Sequence, residues 1–462
     1  MSRSRVVVIL LVAIVAAAAL WFALRPTAPP PPPPRVAHKS PPVTRFPVMG
    51  PAPEVLLPPV HATAIQDHAR ILKLLHLAAL RPGVSPATAN ADENKANPYP
   101  DLPDPLKLAN GTPVTTPDMW WQQRRQEIAD TLEYEVYGRS YGAGLGGWQA
   151  DVGTPETIGG IPAVTRHLAA VVAGPNAIHT TLKLTVTLPA GAHKPVPVIL
   201  LLSTEKAEAD NPSTWRAQVL AKGWGAAMLD VTSVQADDGA GLTEGVIGVV
   251  SKGQPRALVD WGVLRAWAWG ASRAVDAFEG DPAIDAAQVG IAGHSRYGKA
   301  ALVAMAYDPR FVVAYISSSG AGGAALLRRR FGEQIENLAG VGEYHWFGAA
   351  FLKYAGKLTP KDLPVDAHDL FALAAPRPVF VSAGANGDDW VDPKGMFMAE
   401  AAATPVYRLL GKTGMAAAAM PPAGTAADAG ELAFRQHSEG HTMAPNWPYF
   451  LQFASRFIHA AR

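Results

Sequence analysis

The sequence predicts an α/β protein in which helices cover both faces of a mostly parallel β-sheet. Five short apolar segments, at 196–202, 225–229, 289–292, 312–316 and 378–382, alternate with stretches of helical periodicity. Strands of a parallel sheet are buried on both faces, so they are continuously apolar, and helices form the crossovers between them. The chain of 462 residues, 48% of them hydrophobic, is long enough to build a large core of this kind.

The composition excludes several classes of function. A formal net charge of +1 and a charged fraction of 17% provide no basic surface for nucleic acid. The chain has no cysteine, which excludes disulfides, thiolate metal sites and a cysteine nucleophile. The absence of cysteine is consistent with an oxidising compartment. No His-Glu-x-x-His motif is present, and we expect neither a metal nor an organic cofactor.

Residues 1–25 are predicted to be a membrane anchor or a signal segment. Residues 6–24 form an unbroken apolar run of 19 residues, preceded by Arg3 and Arg5. As a helix this run would extend about 28 Å, which is close to the hydrocarbon thickness of a bilayer. Its length favours an uncleaved anchor, with a cleaved signal peptide as the alternative. The preceding arginines predict export to the periplasm or cell envelope, or secretion, with the membrane contacted only through this segment.

Two further segments precede the predicted catalytic domain. Residues 26–60 are rich in proline, including the unbroken run Pro29–Pro34, and are expected to form an extended polyproline II linker. Residues 61–114 form an N-terminal extension, with an amphipathic helix predicted over 61–80. The catalytic domain is expected to span 115–462 and to be monomeric.

The most informative motif is Gly293-His-Ser-Arg-Tyr-Gly-Lys299, which lies between the apolar segment 288–292 and a stretch of helical spacing. A strand, a sharp turn and a helix would hold Ser295 at the apex, as in the nucleophile elbow of α/β-hydrolases. The motif also resembles a phosphate-binding loop, but Ala300 stands where a serine or threonine would bind magnesium. We therefore predict an α/β-hydrolase fold, a three-layer sandwich, with Ser295 as the nucleophile.

A serine nucleophile requires a general base, which is the last triad member in the sequence of an α/β-hydrolase. His441 precedes a helix predicted over 447–461, and a loop there is where such a base belongs. His437 is the alternative, at the end of the last predicted strand, 432–436. Because a histidine within a strand is more often a packing residue, we prefer His441.

The triad also requires a carboxylate that orients the base. Asp388, Asp389 and Asp392 all follow the predicted strand at 378–382, where this acid is expected. Position alone leaves the choice among the three open. Trp390, in the same polar loop, is a candidate for stacking on a sugar ring.

The elbow and several segments beyond it resemble the glucuronoyl esterases, carbohydrate esterase family 15. The similarity extends from about Pro117 to the C-terminus. It includes the elbow together with a Trp-rich helix at 261–269, Ser319-Gly-Ala-Gly-Gly323, Tyr344-His-Trp-Phe347, the Asp-x-Trp-x-Asp-Pro run at 388–393, and Glu439-Gly-His441.

This resemblance implies a serine esterase that cleaves esters between (4-O-methyl-)glucuronic acid on glucuronoxylan and the alcohols of lignin. It implies a triad of Ser295, His441 and Asp388. It also implies that Arg296 supports the oxyanion through its backbone N–H and its guanidinium group. The sugar ring would be contacted by Lys299, Glu333 and Trp390.

Two positions depart from the pattern of the family. Ser318 stands where many fungal members have their catalytic glutamate, so the role of the acid is expected to pass to Asp388. Asn446-Trp447 stands where the family often has Asp-Trp. Two alternatives remain. One is a related carbohydrate esterase acting on acetyl or other acyl esters, and the other, which Ser318 and Asn446 favour, is a catalytically degenerate carbohydrate-binding protein of the envelope.

Overall fold

The fold is organised around one sheet, which has eleven strands in the part of the chain that the computed structural model describes, residues 56–210 and 215–459. The predicted anchor at 1–25 and the linker up to residue 55 lie outside the described residues. The unit that begins at Leu56 is compact and continuous. No helix within 56–210 or 215–459 is long and apolar enough to cross a bilayer.

The strands follow the order β1-β3-β4-β6-β5-β7-β8-β9-β11-β10 across the sheet, with β2 paired to β3. Their bounds are β1 Gln149–Ala150, β2 Thr154–Ile158, β3 Ile161–Ala173, β4 His179–Pro189, β5 Val196–Ser203, β6 Gly225–Asp230, β7 Ile284–His294, β8 Phe311–Ser317, β9 Val379–Gly384, β10 Ala426–Ala427 and β11 Leu432–His437.

The predicted parallel sheet is confirmed in the central and C-terminal part of the strand order. The six strands β6, β5, β7, β8, β9 and β11 are parallel to their neighbours in this set. The N-terminal strands β1 to β4 add an antiparallel region, and β3 pairs with β4 from Ala163 to Ala173. β3 alternates between buried and exposed residues, as expected for antiparallel strands with one solvated face.

Helices connect the strands and flank the sheet. The α-helices are α1 Ala64–Leu74, α2 Pro117–Met119, α3 Arg125–Leu132, α4 Glu205–Asp210, α5 Trp215–Leu220, α6 Val231–Val234, α7 Gly245–Ser251, α8 Val263–Glu279, α9 Arg296–Tyr307, α10 Ile335–Leu338, α11 Ala367–Ala374, α12 Pro393–Ala402, α13 Thr404–Leu409 and α14 Trp447–Ala454. The π-helical turns Trp120–Arg124 and Glu133–Tyr137 flank α3. Short 3-10 helices occur at Glu93–Lys95, Gly239–Thr243, Tyr344–Trp346, Ala349–Ala355, Pro360–Asp362, Asp389–Val391 and Ala444–Asn446.

The core is divided between the two faces of the sheet. On one face α8 and α9 pack against each other and against β7, within the larger of two hydrophobic clusters. On the other face the indole of Trp215 stacks on Trp447, with 5.4 Å between ring centroids, and Tyr315 meets Trp447 edge-on at 5.2 Å. The candidate site lies at the carboxyl ends of the parallel strands of this three-layer arrangement.

The N-terminal extension packs on the same unit. The predicted helix over 61–80 is shorter than expected: α1 begins after a capping box formed by Thr63 and Gln66 and ends at Leu74. Nε2 of His68 bonds to the carbonyl of Ala339 at 2.9 Å. The guanidinium of Arg81 donates to Glu336 at 2.8 Å and to three backbone carbonyls between residues 354 and 358.

The predicted C-terminal helix over 447–461 is also too long. α14 ends at Ala454, and the chain continues as a turn in which the N–H groups of Arg456 and Phe457 donate to Phe453 and Ala454. Apolar residues such as Phe457 and Ile458 continue the hydrophobic pattern without continuing the helix. Hydrophobic periodicity therefore predicted this helix but not where it ends.

Candidate active site

Ser295 lies on a sharp turn between β7, which ends at His294, and α9, which begins at Arg296. Its φ of 55° and ψ of −130° are a strained conformation for a residue other than glycine. The glycines beside it allow the close approach: a Cβ on Gly293 would lie 2.3 Å from the carbonyl oxygen of Tyr297. The backbone N–H of Ser295 donates to Ser317 at 2.9 Å. This geometry matches the nucleophile elbow that the motif predicts.

The imidazole of His441 bonds to a buried carboxylate. Nδ1 of His441 lies 2.7 Å from Oδ1 of Asp388, whose residue is 2% exposed. Oδ2 of Asp388 accepts hydrogen bonds from the hydroxyl of Ser318 at 2.7 Å and from the N–H of Gly384 at 2.8 Å. Burial raises the pKa of Asp388, but the bonds from His441, Ser318 and Gly384 outweigh it and hold the pKa below its ordinary value. The carboxylate is therefore ionised and accepts a hydrogen bond from the Nδ1–H group of His441.

The other two candidate acids have different surroundings. Asp392 is buried, accepts bonds of 2.7 and 2.9 Å from Arg329, and caps α12 through the N–H of Gly395. Asp389 is exposed on the 3-10 helix that follows Asp388. Of the three aspartates, Asp388 is the one that contacts His441.

Both ring nitrogens of His437, the alternative base, form hydrogen bonds with the backbone of the loop. It is buried at the end of β11; Nδ1 accepts a bond from the N–H of Glu439 at 3.1 Å, and Nε2 donates to the carbonyl of Thr442 at 2.8 Å. Both ring nitrogens therefore brace the loop that carries His441. Neither is free to take a proton from a serine.

Ser295 and His441 line one pocket of about 260 Å³. Six of the seven predicted site residues line it; the seventh, Asp388, lies behind His441. The lining consists of Ser295, Arg296, Lys299, Ser318, Ser319, Glu333, Gly342, Glu343, Trp346, Trp390, Val391 and His441.

The guanidinium group of Arg296 lies at this pocket and is held there by an ion pair. The guanidinium of Arg296 donates to Asp237 at 2.8 Å and lies 5.6 Å from the ring centroid of Trp346. Asp237 also accepts bonds from His345 at 3.0 Å and from Trp346 at 2.7 Å. Burial raises the pKa of Asp237, but these bonds and the charge of Arg296 outweigh it, so the pKa is lowered and the carboxylate is ionised. Asp237 thus holds Arg296 beside Ser295.

The interior of the pocket holds a buried ion pair. Nζ of Lys299 donates to Glu333 at 2.7 Å and to the carbonyl of Ala321 at 2.5 Å, and both charged side chains are nearly inaccessible to solvent. The N–H of Glu333 donates to the carbonyl of Trp390 at 2.8 Å. The predicted sugar-contacting residues Lys299, Glu333 and Trp390 are therefore mutually connected.

Several residues at the site, among them Asp237, Glu343 and His294, were not predicted from the sequence. Asp237, described above, lies 59 residues before its partner Arg296. Glu343 lines the pocket, where burial and the charge of Glu333 raise its pKa to about 7. Glu343 directly precedes Tyr344-His-Trp-Phe347, a segment that resembles the family, and this position was the sequence feature that could have identified it as a site residue.

His294 is the third. Its ring centroid lies 4.4 Å from that of His441, and its Nδ1 lies 3.2 Å from the hydroxyl of Ser317. Burial, and next the proximity of His441, lower the pKa of His294 to about 3, so it packs against the base as a neutral ring. Its place between Gly293 and Ser295 was visible in the sequence, but its contact with His441 was not.

Within residues 56–210 and 215–459, no group of three or more histidine, aspartate or glutamate side chains is arranged to hold a metal ion.

Comparison with known proteins identifies close relatives. A family model described as "Glucuronyl esterase, fungi" matches residues 171–411. Carbohydrate esterase MZ0003, from an unknown prokaryotic organism, is 32% identical over 416 residues, covering 81% of this chain and 93% of that protein. A 4-O-methyl-glucuronoyl methylesterase of Schizophyllum commune is 32% identical over 339 residues, covering 71% and 77% of the two chains.

The fold of this chain is also similar to that of a solved structure. The CE15 glucuronoyl esterase of Teredinibacter turnerae T7901 is 45% identical, covers 85% of this chain and 99% of its own, and superposes with a TM-score of 0.81.

Proposed function

This chain belongs to carbohydrate esterase family 15, the glucuronoyl esterases, and we propose that it hydrolyses esters of (4-O-methyl-)glucuronic acid with a triad of Ser295, His441 and Asp388. As a member of that family it is a carboxylic ester hydrolase. The observation that carries the proposal is the bond of 2.7 Å between His441 and the buried Asp388, on the wall of the pocket that contains the Ser295 elbow.

In the proposed reaction the hydroxyl of Ser295 attacks the ester carbonyl while Nε2 of His441 takes its proton. The Nδ1–H of His441 stays bonded to Asp388, which keeps the ring in the required tautomer and stabilises the imidazolium. The proton then passes to the leaving alcohol, and an acyl-enzyme remains on Ser295. Water, activated by the same imidazole, releases the uronic acid and regenerates the serine.

Arg296 is the proposed stabiliser of the oxyanion. Its guanidinium is already held by Asp237 and Trp346, so little reorganisation is needed when negative charge develops beside Ser295. A single oxyanion-hole donor is typically worth about 3–4 kcal/mol in the transition state.

The polar pocket supports a uronic acid as the acyl group. The ion pair of Lys299 and Glu333 offers both donors and acceptors to ring hydroxyls, and Glu343, with a pKa of about 7, can do either near neutrality. Trp390 is partly exposed on the same wall and offers an aromatic face to the sugar ring. In the proposed natural substrate the acyl group is a glucuronate side chain of glucuronoxylan and the alcohol comes from lignin.

We further propose that the protein is exported and acts as a monomer in the periplasm, at the cell envelope or outside the cell. The support is the apolar run at 6–24 after two arginines, which lies outside the described residues. The extension at 61–114 is proposed to be part of the catalytic unit, because His68 and Arg81 bond to the backbone between residues 339 and 358.

The substrate class is tested by comparing initial rates on the methyl ester of 4-O-methylglucuronic acid and on acetylated xylan. The proposal predicts that kcat/KM for the glucuronate ester exceeds that for acetyl groups by at least about tenfold. The opposite ratio would identify an acetyl esterase. Failure on both substrates, together with no covalent labelling by a fluorophosphonate, would identify a catalytically degenerate binding protein.

A further inference from the structure

One wall of the polar pocket comes from residues 329–344, the pocket segment, which has little regular structure of its own. It contributes Glu333, Gly342 and Glu343 to the lining. The structure describes the whole segment, which forms no β-strand and contains one short α-helix, α10. A segment with so few helix or sheet hydrogen bonds takes its backbone partners from other parts of the chain. The positions of its two pocket carboxylates therefore depend on what packs against it.

The N-terminal extension runs alongside the pocket segment in the opposite direction. As the pocket segment proceeds from 329 to 344, its partners in the extension proceed from residue 97 back to residue 67. Three of the hydrogen bonds that join them run from Arg329 to Asn97 at 2.9 Å, from Asn337 to the carbonyl of Val84 at 2.6 Å, and from Tyr344 to Asp67 at 3.1 Å. The extension therefore contacts the start, the middle and the end of the pocket segment.

The contacts nearest to Glu333 come from Asn90 of the extension. Nδ2 of Asn90 donates to the carbonyl of Arg330 at 2.6 Å, and the N–H of Gly332 donates to the carbonyl of Asn90 at 3.1 Å. On the other side, the N–H of Glu333 donates to the carbonyl of Trp390 at 2.8 Å. The backbone of Glu333 is thus held between the extension and the loop of Trp390.

A buried guanidinium holds the start of the pocket segment. Arg329 donates to Asp392 at 2.7 and 2.9 Å and to Glu93 of the extension at 2.8 Å. Charge-assisted hydrogen bonds of this kind are roughly twice as strong as neutral ones. Because Asp392 belongs to the same loop as Trp390, one side chain joins the extension, the pocket segment and that loop.

We propose that the N-terminal extension fixes the sugar-binding geometry of the polar pocket, and that Asn90 and Glu93 are positioning residues that act through the backbone of Glu333. Binding sites need this kind of support, because a loosely held side chain loses affinity for its ligand. This inference rests on the proposed function, because it presumes that the polar pocket receives the glucuronate ring.

The positioning residues are separate from the nucleophile. The bonds of Asn90 and Glu93 within the described residues go to the extension, the pocket segment and Lys394, and none goes to Ser295 or His441. Changes at these two positions should therefore alter recognition of the sugar and leave the reactivity of the serine intact.

The test measures sugar recognition and serine reactivity separately on the full chain. Hydrolysis of the methyl ester of glucuronic acid requires both, whereas covalent labelling of Ser295 by a fluorophosphonate requires no sugar contact. Asn90→Ala removes the bond to Arg330 and is expected to lower kcat/KM about five- to tenfold, chiefly through KM. The rate constant of labelling should stay within about twofold of wild type.

Asn94→Ala is the matched control. Among the described residues the side chain of Asn94 bonds to Asp92 alone, within the extension. Asn90 also bonds to Asp92, so the control accounts for the loss of that contact. Both readouts of Asn94→Ala should equal those of wild type.

Glu93→Ala covers the case in which Asn90→Ala does not fold. It breaks the ion pair with Arg329, which keeps its two bonds to Asp392. We expect kcat/KM for the glucuronate ester to fall about threefold, again with the labelling rate unchanged.

The outcomes separate the two proposals. Wild-type values of kcat/KM in Asn90→Ala and Glu93→Ala would overturn the inference. Parallel losses of kcat/KM and of labelling would also overturn it, because they would indicate a general structural role. A wild-type protein that does not hydrolyse the glucuronate ester would overturn the proposed function, and the inference with it.

Discussion

Ser318 donates its hydroxyl hydrogen bond to Asp388 at 2.7 Å, on the carboxylate oxygen opposite the one that His441 contacts. Ser318 therefore lies within the hydrogen-bond network of the proposed triad. Both oxygens of Asp388 are occupied, by His441 on one side and by Ser318 and Gly384 on the other.

Ser318→Ala removes one of the three donors to Asp388. Because that bond lowers the pKa of Asp388, its loss moves the pKa upward, and the acid limb of the rate profile should shift to higher pH. At neutral pH we expect kcat to fall about three- to tenfold. The measurement is a profile of kcat against pH, with Ser382→Ala as a control buried serine that does not contact Asp388. An unchanged profile would show that Ser318 does not support the acid.

Asp388→Asn should lower kcat by about 10³–10⁴-fold, because an amide cannot hold the Nδ1–H tautomer of His441. Asp389→Asn is the matched control, since this exposed neighbour has no contact with the imidazole, and its kcat should stay within about twofold of wild type. Steady-state kinetics on a glucuronate ester distinguish the two. Equal losses in the two variants would contradict the assignment of the acid.

Glu343→Gln tests the raised pKa of a pocket carboxyl. Burial and the charge of Glu333 raise the pKa of Glu343 to about 7, above its unfolded value of 4.5. The folded state therefore binds more protons between these values, and the stability that Glu343 contributes is present below pH 4.5 and lost as pH rises through about 7. The slope is at most about 1.4 kcal/mol per pH unit, reduced by partial exposure.

The measurement is the free energy of unfolding in denaturant between pH 5 and pH 8. Wild type should lose stability over this range by more than the glutamine variant does. The exposed Glu205→Gln is the control and should retain the wild-type slope, because Glu205 pairs with a lysine and not with a histidine. Parallel curves for wild type and Glu343→Gln would contradict the raised pKa.

Asn446→Asp should stabilise the protein. Asn446 is fully buried and accepts a bond from Arg435, but its Nδ2 has no hydrogen-bond partner and neither does Nε of Arg435. A carboxylate would remove a buried donor that lacks an acceptor and would place a negative charge beside a buried guanidinium. We expect the free energy of unfolding at pH 7 to rise by about 1–3 kcal/mol, measured by denaturant titration. Asn446→Ala is the control and should lower it; a loss in the aspartate variant would contradict this account.

The sequence predicted the parts of the fold that depend on local patterns. All eight residues of β5 are buried, so its continuous apolar run was a reliable signal of a central parallel strand. The elbow was also predictable from the sequence, because the turn requires glycine at positions 293 and 298, at a fixed sequence spacing from Ser295. The end of α14 at Ala454 was not predicted, since the apolar residues continue past it in a turn.

The sequence predicted site residues whose type and local motif indicate their chemistry. It did not predict which of several residues of the same type the tertiary structure brings into the site. One loop carries three aspartates with the same chemistry, Asp388, Asp389 and Asp392. Tertiary packing alone brings Asp388 to His441 and Asp392 to Arg329. Asp237 and Arg296 meet across 59 residues, a contact that no local periodicity encodes. The pKa of Glu343 is raised by burial and by the charge of Glu333, and both arise only in the folded chain.

The most direct measurement of the central claim is hydrolysis of the methyl ester of glucuronic acid by wild type and by Ser295→Ala. The account predicts that kcat/KM falls by about 10⁴–10⁶-fold in the variant. The free energy of unfolding should change by less than about 1 kcal/mol, because Ser295 is partly exposed and its backbone bond to Ser317 is retained. Turnover by Ser295→Ala within about tenfold of wild type would contradict the proposed nucleophile.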